Sequence, residues 1–390
     1  MNSKYLADCL RRAASESMPP SQRRRAVLRI ATALAASAVL APLTPRRTWA
    51  QPRFSAYPFT LGVASGSPRA DGVVLWTRLA PEPLVGGGMP RENVELAWEL
   101  AADEDLRNIV RTGTATATPD LAHSVHVELT DLEPARWYWY RFTAGDTVSP
   151  VGRTRTTPAP DAALERLRFA FASCQQYEQG YYAAHRHLAA EDLDLIVFLG
   201  DYIYESSWGR NHVRKHATAE PYTLADYRAR HAQYKTDPDL QRSHAAAPWI
   251  VTWDDHEVDN DYANDRSEDL DPEFLVRRAA AYQAYYEHMP LARHSLPRGP
   301  GAQIYDRFSF GDLVQFHVLD DRQYRAHQAC AKPGRGGSNV VDDCAERLAS
   351  DHTMLGAAQE AWLADGLART RARWNVIAQQ TLMAQHDRKP

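Results

Sequence analysis

The stretch Asp194-Leu195-Ile196-Val197-Phe198-Leu199-Gly200-Asp201-Tyr202-Ile203-Tyr204-Glu205 decides the fold. Its front half is a short apolar run rich in Ile and Val, the pattern of a strand buried on both faces. A glycine stops the run, a carboxylate follows at once, and a phenol comes three residues later. In an open α/β sheet, ligands bind past the carboxyl ends of the strands, so Asp201 and Tyr204 are expected there. A carboxylate can bridge two metal ions, and a phenolate is a hard anionic oxygen ligand. The competing reading makes Asp201 the cap of a following helix and Tyr204 ordinary core.

Other apolar runs end the same way. Leu167 to Ala172 leads to Cys174. Pro248 to Trp253 leads to Asp254, Asp255, His256 and Asn260. Leu313 to Leu319 leads to Asp320 and Arg322. These four strand ends are expected at one edge of one sheet, gathering hard anionic ligands and one thiolate. Beside a cation a thiolate is deprotonated outright. Carboxylate, phenolate and thiolate together favour a high-charge ion such as ferric iron, and the remaining oxygens suit calcium, magnesium or manganese. Such a site would hydrolyse phosphoesters by two-metal activation of water. His256 would protonate the leaving group or hold a phosphate oxygen, with Asp254 as its orienting partner. Arg228 and Arg322 are candidates to grip phosphate, or else surface salt-bridge residues.

Helical segments are expected over residues 180–193, 223–234 and 274–289, and around Leu355 to Leu367. Strands alternating with helices imply a layered α/β domain after about residue 158. Residues 51–157 read differently, as short strands between turns. There Leu132-Glu133-Pro134 leads into Trp137-Tyr138-Trp139-Tyr140, which resembles the tyrosine corner of fibronectin type III and immunoglobulin-like sandwiches. Thr156-Thr157-Pro158-Ala159-Pro160 reads as the linker.

At 390 residues, two domains are expected. A mean hydropathy of −0.51, with 44% hydrophobic and 24% charged residues, is that of a soluble globular protein. The first fifty residues stand apart. Arg23-Arg24-Arg25 precedes an Ala-rich run, Ile30 to Leu43, that is too short to span a bilayer, and Thr48-Trp49-Ala50 offers a cleavage site. Residues 1–50 are therefore expected to be a twin-arginine export signal, a substrate of that export machinery, placing the rest in the periplasm or outside the cell. That segment holds nine basic and two acidic residues, so the remainder carries −11 where the whole chain carries −4. Such acidity argues against a nucleic-acid partner. An anionic substrate would need a local positive centre. Of the four cysteines, Cys9 lies in the signal, Cys330 and Cys344 are expected to pair in an oxidising compartment, and Cys174 is left over.

The same residues carry a resemblance. Phe-Ala-Ser-Cys-Gln ending at Gln175, Leu-Gly-Asp-Tyr-Ile-Tyr-Glu ending at Glu205, Trp-Asp-Asp-His-Glu-Val starting at Trp253, and Asp320-x-Arg-Gln-Tyr-Arg resemble the PhoD family, alkaline phosphatase D. That family is similar in its core to purple acid phosphatases and calcineurin-like phosphoesterases. The resemblance implies an α+β two-domain chain. An N-terminal fibronectin III/Ig-like β-sandwich would span 51–157, and a layered α/β metallophosphatase domain 158–390. It further implies Fe3+ held by Cys174, Asp201 and Tyr204, with Asp201 bridging to Ca2+, and Asp255 or Asn260 completing the second-metal side. Small phosphomonoesters and phosphodiesters would be the substrates. Family members continue into a further strand and a Gly-Asp-Val-His-like motif, so the resemblance also implies a C-terminally incomplete metal centre. On that ground a non-catalytic remnant that binds metal weakly is the alternative, and a secreted binding module is a more distant one.

Overall fold

The computed structural model describes residues 54–384. The expected export signal over 1–50, with Cys9, lies outside the described residues. Eight strands fill the first part: β1 (Val63–Gly66), β2 (Val73–Arg78), β3 (Val94–Ala101), β4 (Ile109–Ala117), β5 (Ser124–Leu129), β6 (Trp137–Ala144), β7 (Thr147–Val148) and β8 (Gly152–Arg155). They form a β-sandwich. Val63, Leu75, Val125 and Val127 on one sheet pack against Leu96, Trp98, Leu100, Tyr138, Tyr140 and Phe142 on the other. β3 buries every second residue over its first half, as the period of a strand requires. The Tyr138 hydroxyl accepts from the backbone N–H of Glu133 at 3.1 Å, closing the corner before β6.

One sheet of the sandwich runs on past the expected linker. β1, β2 and β5 belong to a six-stranded sheet that continues through β9 (Phe169–Ala172), β10 (Leu195–Leu199) and β11 (Trp249–Thr252), in the order β5-β2-β1-β11-β10-β9. β1 pairs parallel to β11, with Gly66 opposite Trp249. A Cβ on Gly66 would sit 2.5 Å from the Pro290 carbonyl oxygen and 2.7 Å from that of Trp249, so the close approach of β1 to β11 here requires a glycine. The described residues form one compact unit.

The parallel half of this sheet is covered on both faces, as parallel sheets require. On one side lie α1 (Ala183–Ala190), α2 (Leu224–Lys235), α3 (Pro238–Ala246) and α4 (Phe274–His288). Ile196, Phe198, Trp249 and Val251 pack there against Tyr227, Tyr234, Tyr282 and Tyr285. On the other side Leu195, Val197 and Ile250 meet Phe308, Phe316 and Val318 of a second sheet. That sheet is β12 (Asp306–Phe310), β13 (Val314–Val318) and β14 (Trp374–Ala378), with α5 (Gly356–Arg369) beyond it, where Trp362 meets the ring of His317. The expectation of four strand ends along one sheet is therefore corrected. Those of β9, β10 and β11 share a sheet, and that of β13 lies in the layer stacked on it.

Helix α3 and strands β4 and β12 are elements that the sequence reading does not mark. Asp237 nonetheless marks the start of α3, its side chain accepting from the N–H groups of Asp239 and Leu240 ahead of Pro238.

At the seam between sandwich and helices, Lys235 is fully buried. Its Nζ lies 4.3 Å from the ring centre of Trp76, 5.6 Å from that of Tyr202 and 3.4 Å from His244 Nε2. Burial pushes its pKa down from 10.5 to about 7. The unfolded chain then binds a proton that the folded chain has released, so stability rises with pH from about 7 towards 10.5. Urea titrations are expected to show this group adding about 2 kcal/mol between pH 7 and 9. Lys235→Met is expected to remove that rise; an unchanged pH slope in the variant would refute the assignment.

Candidate metal centre

The centre is built where β9, β10 and β11 end. Gly200 has φ +96°, and a Cβ there would sit 2.4 Å from the backbone nitrogen of Asp254, so a glycine is required. Asp201 (φ 55°) and Cys174 (φ 59°) follow their strands in left-handed conformations that ordinary residues avoid. Backbone pairing holds both. The Cys174 N–H donates to the Gly200 carbonyl at 3.2 Å and the Gln175 N–H to that of Asp201 at 3.1 Å. On the other side the Glu257 carboxylate accepts from the N–H of Tyr202 at 2.6 Å and of Asp254 at 2.8 Å, tying the β10 end to the β11 end. Burial, followed by the charge of Asp201, pushes the Glu257 carboxyl well above its ordinary range. No helix follows Asp201 before α2, so it is not a helix cap.

In this cradle Asp201, Asp255 and His256 each bring a potential ligand atom within 4.8 Å of the others. Asp201 Oδ2 accepts from the Tyr204 hydroxyl at 2.7 Å, while Oδ1 is buried without a hydrogen-bond partner. Burial, then the charge of Asp255, pushes the Asp201 carboxyl up to about 6. Cys174 is exposed at the surface, but its thiol lies against Asp201 and Tyr204; partial burial pushes it up to about 11, and the nearby carboxylate adds to the rise. Burial and then Asp201 also push the Tyr204 phenol far upward. A buried carboxylate oxygen lacking a donor, beside a second carboxylate, is costly unless a cation is present. The donor set therefore fits a metal ion, and an ion would draw down the thiol and phenol that the protein alone keeps protonated.

His256 sits at the edge of the group. Its ring stacks on Tyr204 at 4.1 Å, and its Nδ1 lies 2.7 Å from Glu205 Oε2. Burial opposes a charge there, but the Glu205 hydrogen bond and charge, then Asp255 and Asp201, push His256 up to about 10. Glu205 thus takes the orienting place expected for Asp254, whose carboxylate instead meets Arg322 Nε at 2.5 Å. Glu205 closes the stretch that decides the fold and Glu257 adjoins His256. Neither is legible as a site residue, because buried positioning carboxylates read like surface acids in a sequence.

Asn260 lies beside the group. Its amide donates to Glu268 at 2.8 Å and its backbone N–H to Glu205 at 3.3 Å. Asp320 accepts from the backbone of Arg322 and Gln323 and from the Gln323 side chain, so it closes a turn. The two arginines expected to grip phosphate are engaged otherwise. Arg228 forks onto Glu287 at 2.5 and 2.6 Å, joining α2 to α4. Arg322, 7% exposed, is surrounded by Asp254, Asp255 at 3.4 Å and Asp261 at 3.5 Å. Although burial opposes it, the Arg322 charge and then His256 hold Asp255 below the usual carboxylate range. Cys330 and Cys344 form a disulfide.

Comparison with known proteins accounts for this layout. Residues 169–390 match the PhoD-like phosphatase profile, and residues 44–158 match the profile of the PhoD-like phosphatase N-terminal domain. The chain belongs to the PhoD-like phosphatase family. It is 55% identical over 345 residues to alkaline phosphatase D of Bacillus subtilis (strain 168), an alignment covering 86% of this chain and 58% of the relative. The solved structure of PhoD superposes with a TM-score of 0.82 at 55% identity, covering 86% of this chain and 64% of that one. The chain thus spans about three fifths of the length of these PhoD relatives.

Asp201→Asn should remove the repulsion within the buried acidic pair. The metal-free variant is expected to be more stable than the parent by about 2 kcal/mol at pH 8. It should also lose the rise in melting temperature that added metal gives the parent. Calorimetry with and without metal checks both.

Proposed function

We propose that the chain is a metal-dependent phosphoesterase of alkaline phosphatase type, acting on small phosphate esters. The observation that carries this reading is the convergence of Asp201, Asp255 and His256 around the unpartnered Asp201 Oδ1, with Cys174 and Tyr204 alongside. Cys174, Asp201 and Tyr204 would hold a ferric ion, and Asp255 or Asn260 the calcium side, as the family resemblance implies. Bound there, a metal pair supplies Lewis acidity and lowers the pKa of a water. The chain does the rest. Gly200 and Glu257 fix where Asp201 points. Glu205 keeps His256 protonated, and that imidazolium can give its proton to the departing alkoxide or bond a phosphate oxygen. The net negative charge of residues 51–390 leaves the metal site as the attraction for an anionic ester. Export by the twin-arginine route remains part of this proposal. Among the described residues no helix is long and apolar enough to cross a membrane.

A second reading is metal binding without turnover. The engagement of both Arg228 and Arg322 by carboxylates favours it. One assay separates the two. The full chain is loaded with iron and calcium, its metal content measured, and p-nitrophenyl phosphate and its bis ester offered at about pH 9. Phosphoester hydrolysis is expected, falling at least about 100-fold in Asp201→Asn and about 10- to 100-fold in His256→Ala. Stoichiometric metal with no release of p-nitrophenol would establish the second reading instead.

A further inference from the structure

The disulfide closes a segment that lies against the acidic loop following β11. Gly336 donates its N–H to the Glu268 carbonyl at 2.7 Å, and a Cβ on it would be 2.2 Å from the Ser267 carbonyl oxygen. A Cβ on Gly337 would be 2.6 Å from the Glu268 side chain. Arg335 reaches Glu268 at 2.6 Å and Asp269 at 2.7 Å. Two successive glycines and a forked arginine thus fit this segment to residues 267–269 at backbone distance.

The contact continues inward. The Ser338 N–H donates to Asp261 Oδ2 at 2.5 Å, and Gln328, just before Cys330, donates to Asp261 Oδ1 at 2.6 Å. Asp261 has φ 55°, a conformation that its surroundings must enforce. Its own N–H donates to Asp255 Oδ2 at 2.7 Å, and its carboxylate faces Arg322 at 3.5 Å. One chain of hydrogen bonds therefore runs from the disulfide-closed segment through Asp261 to Asp255.

We propose that residues 330–344, closed by the Cys330–Cys344 bond, act as a strap that positions Asp255 through Asp261, making the metal affinity of the centre depend on the disulfide. The strap's effect on metal rests on the function proposed above; its hold on Asp261 does not. Opening the S–S bond lets Ser338 leave Asp261, frees the strained Asp261 backbone to relax, and withdraws a donor from Asp255. Partners one step removed from a ligand commonly tune metal affinity by an order of magnitude or more. The strap also gives the disulfide a reason that loop closure alone does not.

The test uses the full metal-free chain, oxidised and reduced. Dithiothreitol delivers two electrons and two protons to the S–S bond, leaving the thiols of Cys330 and Cys344 and its own cyclic disulfide. Deuterium exchange of the peptide containing Asp261 is expected to accelerate at least about tenfold on reduction, with β10 and β11 unchanged. Mn2+ affinity, read by titration calorimetry, should fall about tenfold. Gly336→Ala, kept oxidised, should reproduce both effects without any thiol chemistry; it decides the matter if reduction opens the whole chain. Unchanged exchange at Asp261 in reduced chain and variant alike overturns the strap. If exchange rises but Mn2+ binds neither form, the strap stands and the metal centre itself is what fails.

Discussion

Two carboxylates that repel one another, Asp201 and Asp255, are held within 4.8 Å in a buried place. Neither can be there cheaply, because water has been removed and like charges face each other at low dielectric. Much of the surrounding structure offsets this cost. Arg322 supplies positive charge from the second layer, His256 supplies it from the same loop, and Tyr204 donates a hydrogen bond. One oxygen, Asp201 Oδ1, is left without a partner in the protein. The arrangement is complementary to a cation.

Holding such a pair requires a rigid frame, and the frame is the stacked sheets. The carboxyl ends of β9, β10 and β11 are fixed by parallel pairing, and their loops are cross-tied by Glu257 and by the Cys174–Gly200 backbone bond. The second sheet delivers Arg322 from the end of β13. The sandwich buttresses the far edge through β1, where Gly66 allows direct parallel pairing with β11. Cys174, Asp201 and Asp261 take left-handed backbone conformations here, held by the surrounding contacts.

The positions legible in the sequence were those whose neighbours along the chain reveal them. A buried parallel strand followed by Gly-Asp announces a site edge, and this located Asp201, Tyr204 and, from parallel instances, Cys174, Asp255 and His256. Which of its two expected roles each arginine takes is not legible in the sequence, because a guanidinium beside acids can as well neutralise carboxylates as grip phosphate. Arg228 went to Glu287 and Arg322 to the Asp254–Asp255–Asp261 group, partners between 59 and 68 residues apart in the chain and invisible to spacing. Glu205 and Glu257 escape the sequence for the same reason, since what marks them is burial and the backbone N–H groups they accept from.

Local order along the chain was enough to determine the alternating strands and helices, the sandwich composition before residue 157, the family resemblance and the types of residue gathered at the centre, because hydrophobic period and strand-end chemistry are short-range properties. Only the tertiary structure decided that one sheet spans both halves, that β13 lies in a separate layer, which carboxylate orients His256, and what the disulfide-closed segment touches. Those are pairings between distant residues, set by which buried polar groups find partners once water has been excluded.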